Sequence, residues 1–141
     1  MTQILIDTDV ILDFFFDRQP FAENASKIFS LSESKKIISF VTPVIISNVY
    51  YLLRQTATHE KVIEKLKLLL SITSILMMDN NVVFRALNSD FKDFEDALQN
   101  YSAELNKEIY IIITRNIKDF KYSKLAVMTP DQFLKTKFTG Q

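Results

Sequence analysis

Short apolar runs alternate with longer amphipathic stretches along the chain. Residues 4–6, 37–41, 75–78, 109–113 and 125–128 are apolar runs too short for helices, and they predict strands. Several are continuously apolar rather than alternating, which suits strands covered on both faces, as in a parallel sheet. Helical stretches are predicted between them. One starts near Val10. Another, over 21–31, follows Pro20, a favourable first-turn residue, and Pro43 opens a third over 43–54. Residues 61–70 set Val62, Leu66, Leu69 and Leu70 on one side and Lys61, Glu64 and Lys65 on another. Residues 81–87, 94–105 and 131–137 complete the set. Strand–helix alternation over 141 residues predicts one α/β domain, residues 1–141, around a central parallel sheet.

Composition narrows the chemistry. With 17 Lys and Arg against 17 Asp and Glu, bulk charge does not announce a nucleic-acid partner, although a local basic face can still bind one. The charge is segregated. Residues 79–104 carry Asp79, Asp90, Asp93, Glu95, Asp96 and Glu104 against Arg85 and Lys92. Residues 115–137 carry Arg115, Lys118, Lys121, Lys124, Lys135 and Lys137 against Asp119 and Asp131. Such a pairing suits a cation site beside a phosphate-binding surface, and equally two solvated helix faces. Cysteine is absent, which removes disulfides and thiolate chemistry; His59 is the one histidine, and it is read as a surface residue. The only glycine is Gly140, so neither glycine-rich phosphate loop is present. No leader pattern and no apolar run long enough for a membrane span are visible, and a soluble, cytoplasmic protein is expected.

Three segments concentrate the remaining chemistry. Asp7 follows the first apolar run, in Ile4-Leu5-Ile6-Asp7-Thr8-Asp9, which places it at the carboxyl edge of the predicted sheet, where open α/β sheets bind ligands. Asp7, Thr8 or Asp9 also fits as a helix cap, but capping accounts for one acid better than two. Asp93-Phe94-Glu95-Asp96 opens a later helix with Asp93 and Asp96 on one face and Asn100 below; here too capping is an alternative. Thr114-Arg115-Asn116-Ile117-Lys118-Asp119-Phe120 follows the most apolar run and reaches the same edge as Asp7. Oxygen-only clusters of this kind suit Mg²⁺ or Mn²⁺. The aromatics Phe14, Phe15, Phe16, Tyr50 and Tyr51 are read as core, with the phenylalanines also placed to line a partner groove.

In this order and spacing the three segments resemble the PIN domain family, which includes the VapC-type ribonuclease toxins of bacterial toxin–antitoxin pairs. The resemblance covers nearly the whole chain. Asp7 matches the family's opening acid, Asp96 its mid-helix acid, and Asp119 the last acid of a Thr-x-Asn-x-x-Asp-Phe signature. One position departs: the family's Glu on the helix after the second strand falls on Asn48, which supplies no charge. Asp13 and Asp93 are the residues placed to compensate. The resemblance implies a three-layer α/β/α sandwich with strand order 3-2-1-4-5. It also implies Mg²⁺ or Mn²⁺ held by Asp7, Asp96 and Asp119 within one shell, with Asn48, Thr114, Asn116, Asp93 and Asp9 in support. RNA phosphates would be bound by Arg115, Lys118 and Lys121. A homodimer and an antitoxin partner are implied as well, and the abundant aromatics independently suggest an apolar interface between copies.

Two other classes fit parts of the pattern. Asp7-Thr8-Asp9 resembles the opening of haloacid-dehalogenase phosphatases, but no acid pair follows a late strand. A receiver domain would use Asp7, Asp9 and Asp79, but Thr129-Pro130 stands where its lysine belongs. A PIN-like RNA- or protein-binding module with a silent centre is the third reading, raised by Asn48.

Overall fold

The computed structural model describes residues 1–136. Five parallel strands form the central sheet: β1 (Gln3–Ile6), β2 (Ile38–Val41), β3 (Ser74–Ile75), β4 (Ile109–Ile113) and β5 (Ala126–Met128), in the order β3-β2-β1-β4-β5. Helices α1 (Thr8–Phe15), α2 (Ala22–Glu33), α3 (Pro43–Leu53), α4 (His59–Ile72), α5 (Asn80–Leu87), α6 (Phe94–Leu105) and α7 (Pro130–Leu134) flank it, giving the expected three-layer α/β/α architecture. Successive strand residues point to opposite faces of a sheet. Ile4, Leu5 and Ile6 are nevertheless all fully buried, so helices cover both faces around β1. The main core joins these residues to Val10, Ile11, Ile28, Val41, Ile45, Val49, Ile112 and Phe133. A smaller cluster of Val82, Ala86, Ala97 and Leu98 seals α5 onto α6.

The helix starts follow from local side chains. Thr42 accepts the Ile45 N–H at 3.1 Å ahead of Pro43, Thr58 caps α4, and Asp93 caps α6. Thr129 and Gln132 form a reciprocal capping box on α7. Because Thr58 is a good cap, α4 begins at His59, two residues before the apolar periodicity does. His59 is exposed, as expected, and its Nδ1 lies 2.8 Å from the Tyr50 hydroxyl.

Several expectations are adjusted. Of the apolar run 75–78, only Ile75 is in a strand. Ile75 is 52% exposed and Met77 72% exposed, since β3 is a sheet edge, whereas Leu76 turns into the core and Met78 packs beside α5 and α6. Phe14, Phe15 and Phe16 are half-buried and pack against the core as expected, whereas Tyr51 is 68% exposed. The last predicted helix ends at Leu134, and its expected end at Lys137 lies outside the described residues.

Sheet order reverses between β1 and β4, which leaves a crevice beyond their carboxyl ends. A buried ion pair braces it. Asp13, on α1, is fully buried and receives both Nε (2.7 Å) and Nη2 (3.0 Å) of Arg115, from the loop after β4. Arg18 stands 3.8 Å from the same carboxylate, and the Phe21 ring packs 4.0 Å below the Arg115 guanidinium. Removing one partner of such a pair strands the other charge. Arg115→Met is therefore expected to cost about 3 kcal/mol in urea unfolding, the low end for a buried pair because the guanidinium is partly open to solvent. Adding Asp13→Leu should recover most of that loss. A cost below about 1 kcal/mol for the single variant would contradict the bracing role.

Candidate active site

Asp7 is the first residue past β1. Its N–H bonds Ile113 O at 2.9 Å, so the β1–β4 ladder carries it to the sheet edge. Its carboxylate accepts the Thr8 N–H at 2.8 Å and the Thr114 hydroxyl at 2.8 Å. Capping and site placement are thus two uses of one side chain rather than alternatives. Asp9 Oδ2 accepts the Arg115 N–H at 3.0 Å and the Asn116 amide at 3.1 Å, and Thr114 Oγ1 lies 3.4 Å away. Thr114 has one hydroxyl proton, and the shorter contact gives it to Asp7. Its oxygen takes the Asn116 N–H at 3.0 Å. The Thr-x-Asn part of the signature therefore fixes the loop onto the two acids after β1.

The other acids arrive from α6 and from the 3-10 turn Ile117–Phe120. Asp93 Oδ1 accepts the Asp96 N–H at 3.0 Å, so Asp93 orients the first turn that carries Asp96. Asp119 N–H bonds Asn116 O at 3.0 Å. Together these segments line a cleft of about 620 Å³ that contains Asp7, Asp9, Asn48, Asp93, Asp96, Asn116 and Asp119 among the sequence-predicted residues. Thr114 is fully buried beneath it. Arg115, Lys118 and Lys121 do not line it: Arg115 is turned inward onto Asp13, and Lys121 Nζ sits 5.0 Å from the Tyr122 ring. Asp13 is likewise spent on the arginine. Asn100 is fully buried and donates to Glu104 at 2.8 Å.

Besides Thr8, Leu12 and Leu52, the cleft is lined by Glu95, Gln99, Arg18 and Tyr51, none of them anticipated as site residues. Two carried a helical signal. Gln99 lies three residues after Asp96, and Tyr51 three after Asn48, so each pair shares a face. Glu95 and Arg18 carried none that spacing reveals; Asn48 Nδ2 donates to Glu95 Oε2 at 2.9 Å across 47 residues of sequence.

Burial and then crowding raise Asp7, Asp9 and Asp96. Burial pushes the Asp7 carboxyl up from its ordinary value, against hydrogen bonds from Thr114, Thr8 and Gln99 that pull it down; the Asp119 charge adds to the rise. Asp9 is pushed up to about 6 by burial and then by Asp7. Asp96 is pushed up to about 8 by burial and then by the charges of Asp7, Asp93, Asp119 and Glu95. Like charges held together favour protonation or a cation. Among the described residues no three acids form a ready-made metal-binding group; Asp7, Asp96 and Asp119 all line the one cleft. The donor set still fits a hard divalent ion: it is all oxygen. The Asp9 Oδ1 and Gln99 Oε1 atoms are buried without a hydrogen-bond partner.

A parallel α/β sheet with an acid-lined crevice at its strand-order reversal is a ligand-binding class of fold. The family model of the PIN domain matches residues 3–118, and the chain belongs to that family. No curated protein matches the sequence. Solved structures share the fold. A toxin–antitoxin complex from Klebsiella pneumoniae is similar at TM-score 0.67 with 22% identity, over 90% of this chain and 97% of that one. VapBC2 from Rickettsia felis, bound to a DNA fragment from its promoter, is similar at TM-score 0.65 with 15% identity, over 90% and 97%. VapC20 from Mycobacterium tuberculosis, a toxin that cleaves the sarcin–ricin loop, is similar at TM-score 0.59 with 15% identity, over 77% and 86%. Among the described residues no helix is long and apolar enough to cross a membrane.

The raised Asp96 carboxyl has a consequence for stability. An acid whose folded value lies above its unfolded value favours the native state when protonated. That contribution is complete below the unfolded value near 3.8 and is lost as pH rises through about 8. In chelator-treated buffer the melting temperature of the natural chain should therefore fall, relative to Asp96→Asn, as pH is raised across that window. A difference between the two that stays constant with pH would contradict the crowding at Asp96.

Proposed function

We propose that this chain is a Mg²⁺- or Mn²⁺-dependent endoribonuclease of the PIN type, the toxin of a toxin–antitoxin pair. The observation that carries the reading is the convergence of Asp7, Asp96 and Asp119 on one cleft from three separated segments, with Asp7 and Asp96 both raised by their surroundings. These three acids would hold the ion, which when bound offsets phosphodiester charge and makes a water more acidic. Thr114 and the Thr8 N–H orient Asp7, and Asp93 orients Asp96. Arg18, on the cleft wall, faces incoming phosphates, and the exposed Lys118 and Lys121 extend the positive surface beyond it. Tyr51 offers a ring for base stacking, which suits a single-stranded or looped RNA. The toxin–antitoxin complexes among the structural relatives support an antitoxin partner; a homodimer and a cytoplasmic setting belong to the same proposal.

Asn48 favours a second reading, a PIN-fold binding module without catalysis, because an amide replaces a carboxylate at the cleft. One pair of measurements separates the two: cleavage of a labelled single-stranded RNA with Mn²⁺, and Mn²⁺ titration of the same protein. We expect metal-dependent cleavage that Asp119→Asn lowers by about 100-fold or more while the melting temperature holds. Equal cleavage by Asp119→Asn would overturn the mechanism. Binding of RNA without cleavage at any metal concentration would establish the binding module.

A further inference from the structure

We propose that Glu95 supplies the site's fourth carboxylate, and that Asn48 is the positioning residue that holds it toward the metal side of the cleft. The inference rests on the metal-binding reading above and deepens it. Asn48 projects from α3 and Glu95 from the first turn of α6, and both line the cleft with Asp7, Asp96 and Asp119. The Asn48 amide donates to Glu95 Oε2 at 2.9 Å. An amide N–H pair at position 48 is what a neighbouring carboxylate needs, and a carboxylate there would repel it. The two positions are therefore chemically complementary: one carries the acid and the other the donor.

The other acids are less suited to the role. Asp13 is buried and committed to Arg115. One oxygen of Asp93 is committed to the Asp96 N–H. Asp9 is pinned by donors from the loop after β4. Glu95 is exposed, has a longer side chain, and feels a single side-chain donor. Its charge also reaches Asp96, since it is among the charges that raise that carboxyl.

A second observation at the same cleft points to a ligand. Gln99 is 2% exposed and lines the cleft, yet its Oε1 has no hydrogen-bond partner. A buried carbonyl oxygen left unpaired is costly unless a cation or an ordered water completes it. Gln99 stands one helical turn beyond Glu95 and three residues beyond Asp96, so α6 presents acid and carbonyl oxygens toward one site.

Isothermal titration with Mn²⁺ tests the assignment without reference to catalysis. The proteins are the natural chain, Glu95→Gln, the exchange variant Asn48→Glu with Glu95→Gln, and Glu60→Gln on α4 as a charge-matched control outside the cleft. Glu95→Gln should weaken Mn²⁺ binding about tenfold, the control should leave it unchanged, and the exchange variant should return it to within about threefold of the natural chain. The melt of Glu95→Gln should lie close to that of the natural chain, because Glu95 is exposed, and a cooperative melt of the exchange variant checks that it is folded. Natural protein that binds Mn²⁺ with Glu95→Gln binding equally well would overturn the assignment alone. Weakening that the exchange variant fails to restore would overturn the pairing with Asn48. Absence of Mn²⁺ binding by the natural chain would overturn this assignment together with the metal-dependent function beneath it.

Discussion

The hydrogen bonds between residues 7–13 and residues 114–116 are the constraint on which the rest of the site depends. Three acids in the first segment meet three consecutive residues in the second, across more than 100 residues of sequence. Thr114 donates to Asp7, the Arg115 N–H and Asn116 amide to Asp9, and the Arg115 guanidinium to Asp13. Parallel pairing of β1 with β4 brings the segments to the same edge. The side-chain bonds then fix the loop that carries Asp119 relative to Asp7. Without them a loop after a strand would have no reason to keep one geometry, and acids on different segments would separate under their own repulsion.

The division of labour among the acids follows from solvation. Asp13 is deep enough to need a full countercharge and receives one from Arg115. Asp9, intermediate in depth, is met by neutral donors and is raised only to about 6. Asp96 is raised to about 8, first by burial and then by the four carboxylates of Asp7, Asp93, Asp119 and Glu95. The cleft thus contains charge that its own hydrogen bonds do not satisfy, a demand that protonation or a bound cation would relieve.

Much of this was legible in the sequence, for physical reasons. Apolar runs of three to five residues can be neither membrane spans nor stable helices, so β1, β2 and β4 were readable within a residue or two. Asp7 and the segment around Asp119 were placed at one sheet edge by the strands they follow, whereas Asp96 was singled out through the family resemblance; all three line the cleft. The edge strand β3 was overextended because hydropathy does not report which apolar residues lie at a rim. Tyr51 was assigned to the core for the same reason. Arg115 showed its charge but not its direction; the partner that turns it inward, Asp13, is 102 residues away. Asn48 looked like a lost acid because the comparison ran along the chain. In space, Glu95 stands beside it, 47 residues later, in a stretch where its neighbours Asp93 and Asp96 already explained the local acidity.

If these acids form a divalent-cation site at the carboxyl ends of β1 and β4, a crystal of the protein soaked in Mn²⁺ and measured at the manganese absorption edge will reveal it. The expected result is an anomalous peak in the cleft within coordination distance of carboxylate oxygens of Asp7, Asp96 and Asp119, with those side chains drawn together around it. A cleft without a peak at saturating Mn²⁺, or a peak bound only by residues elsewhere on the surface, would contradict it.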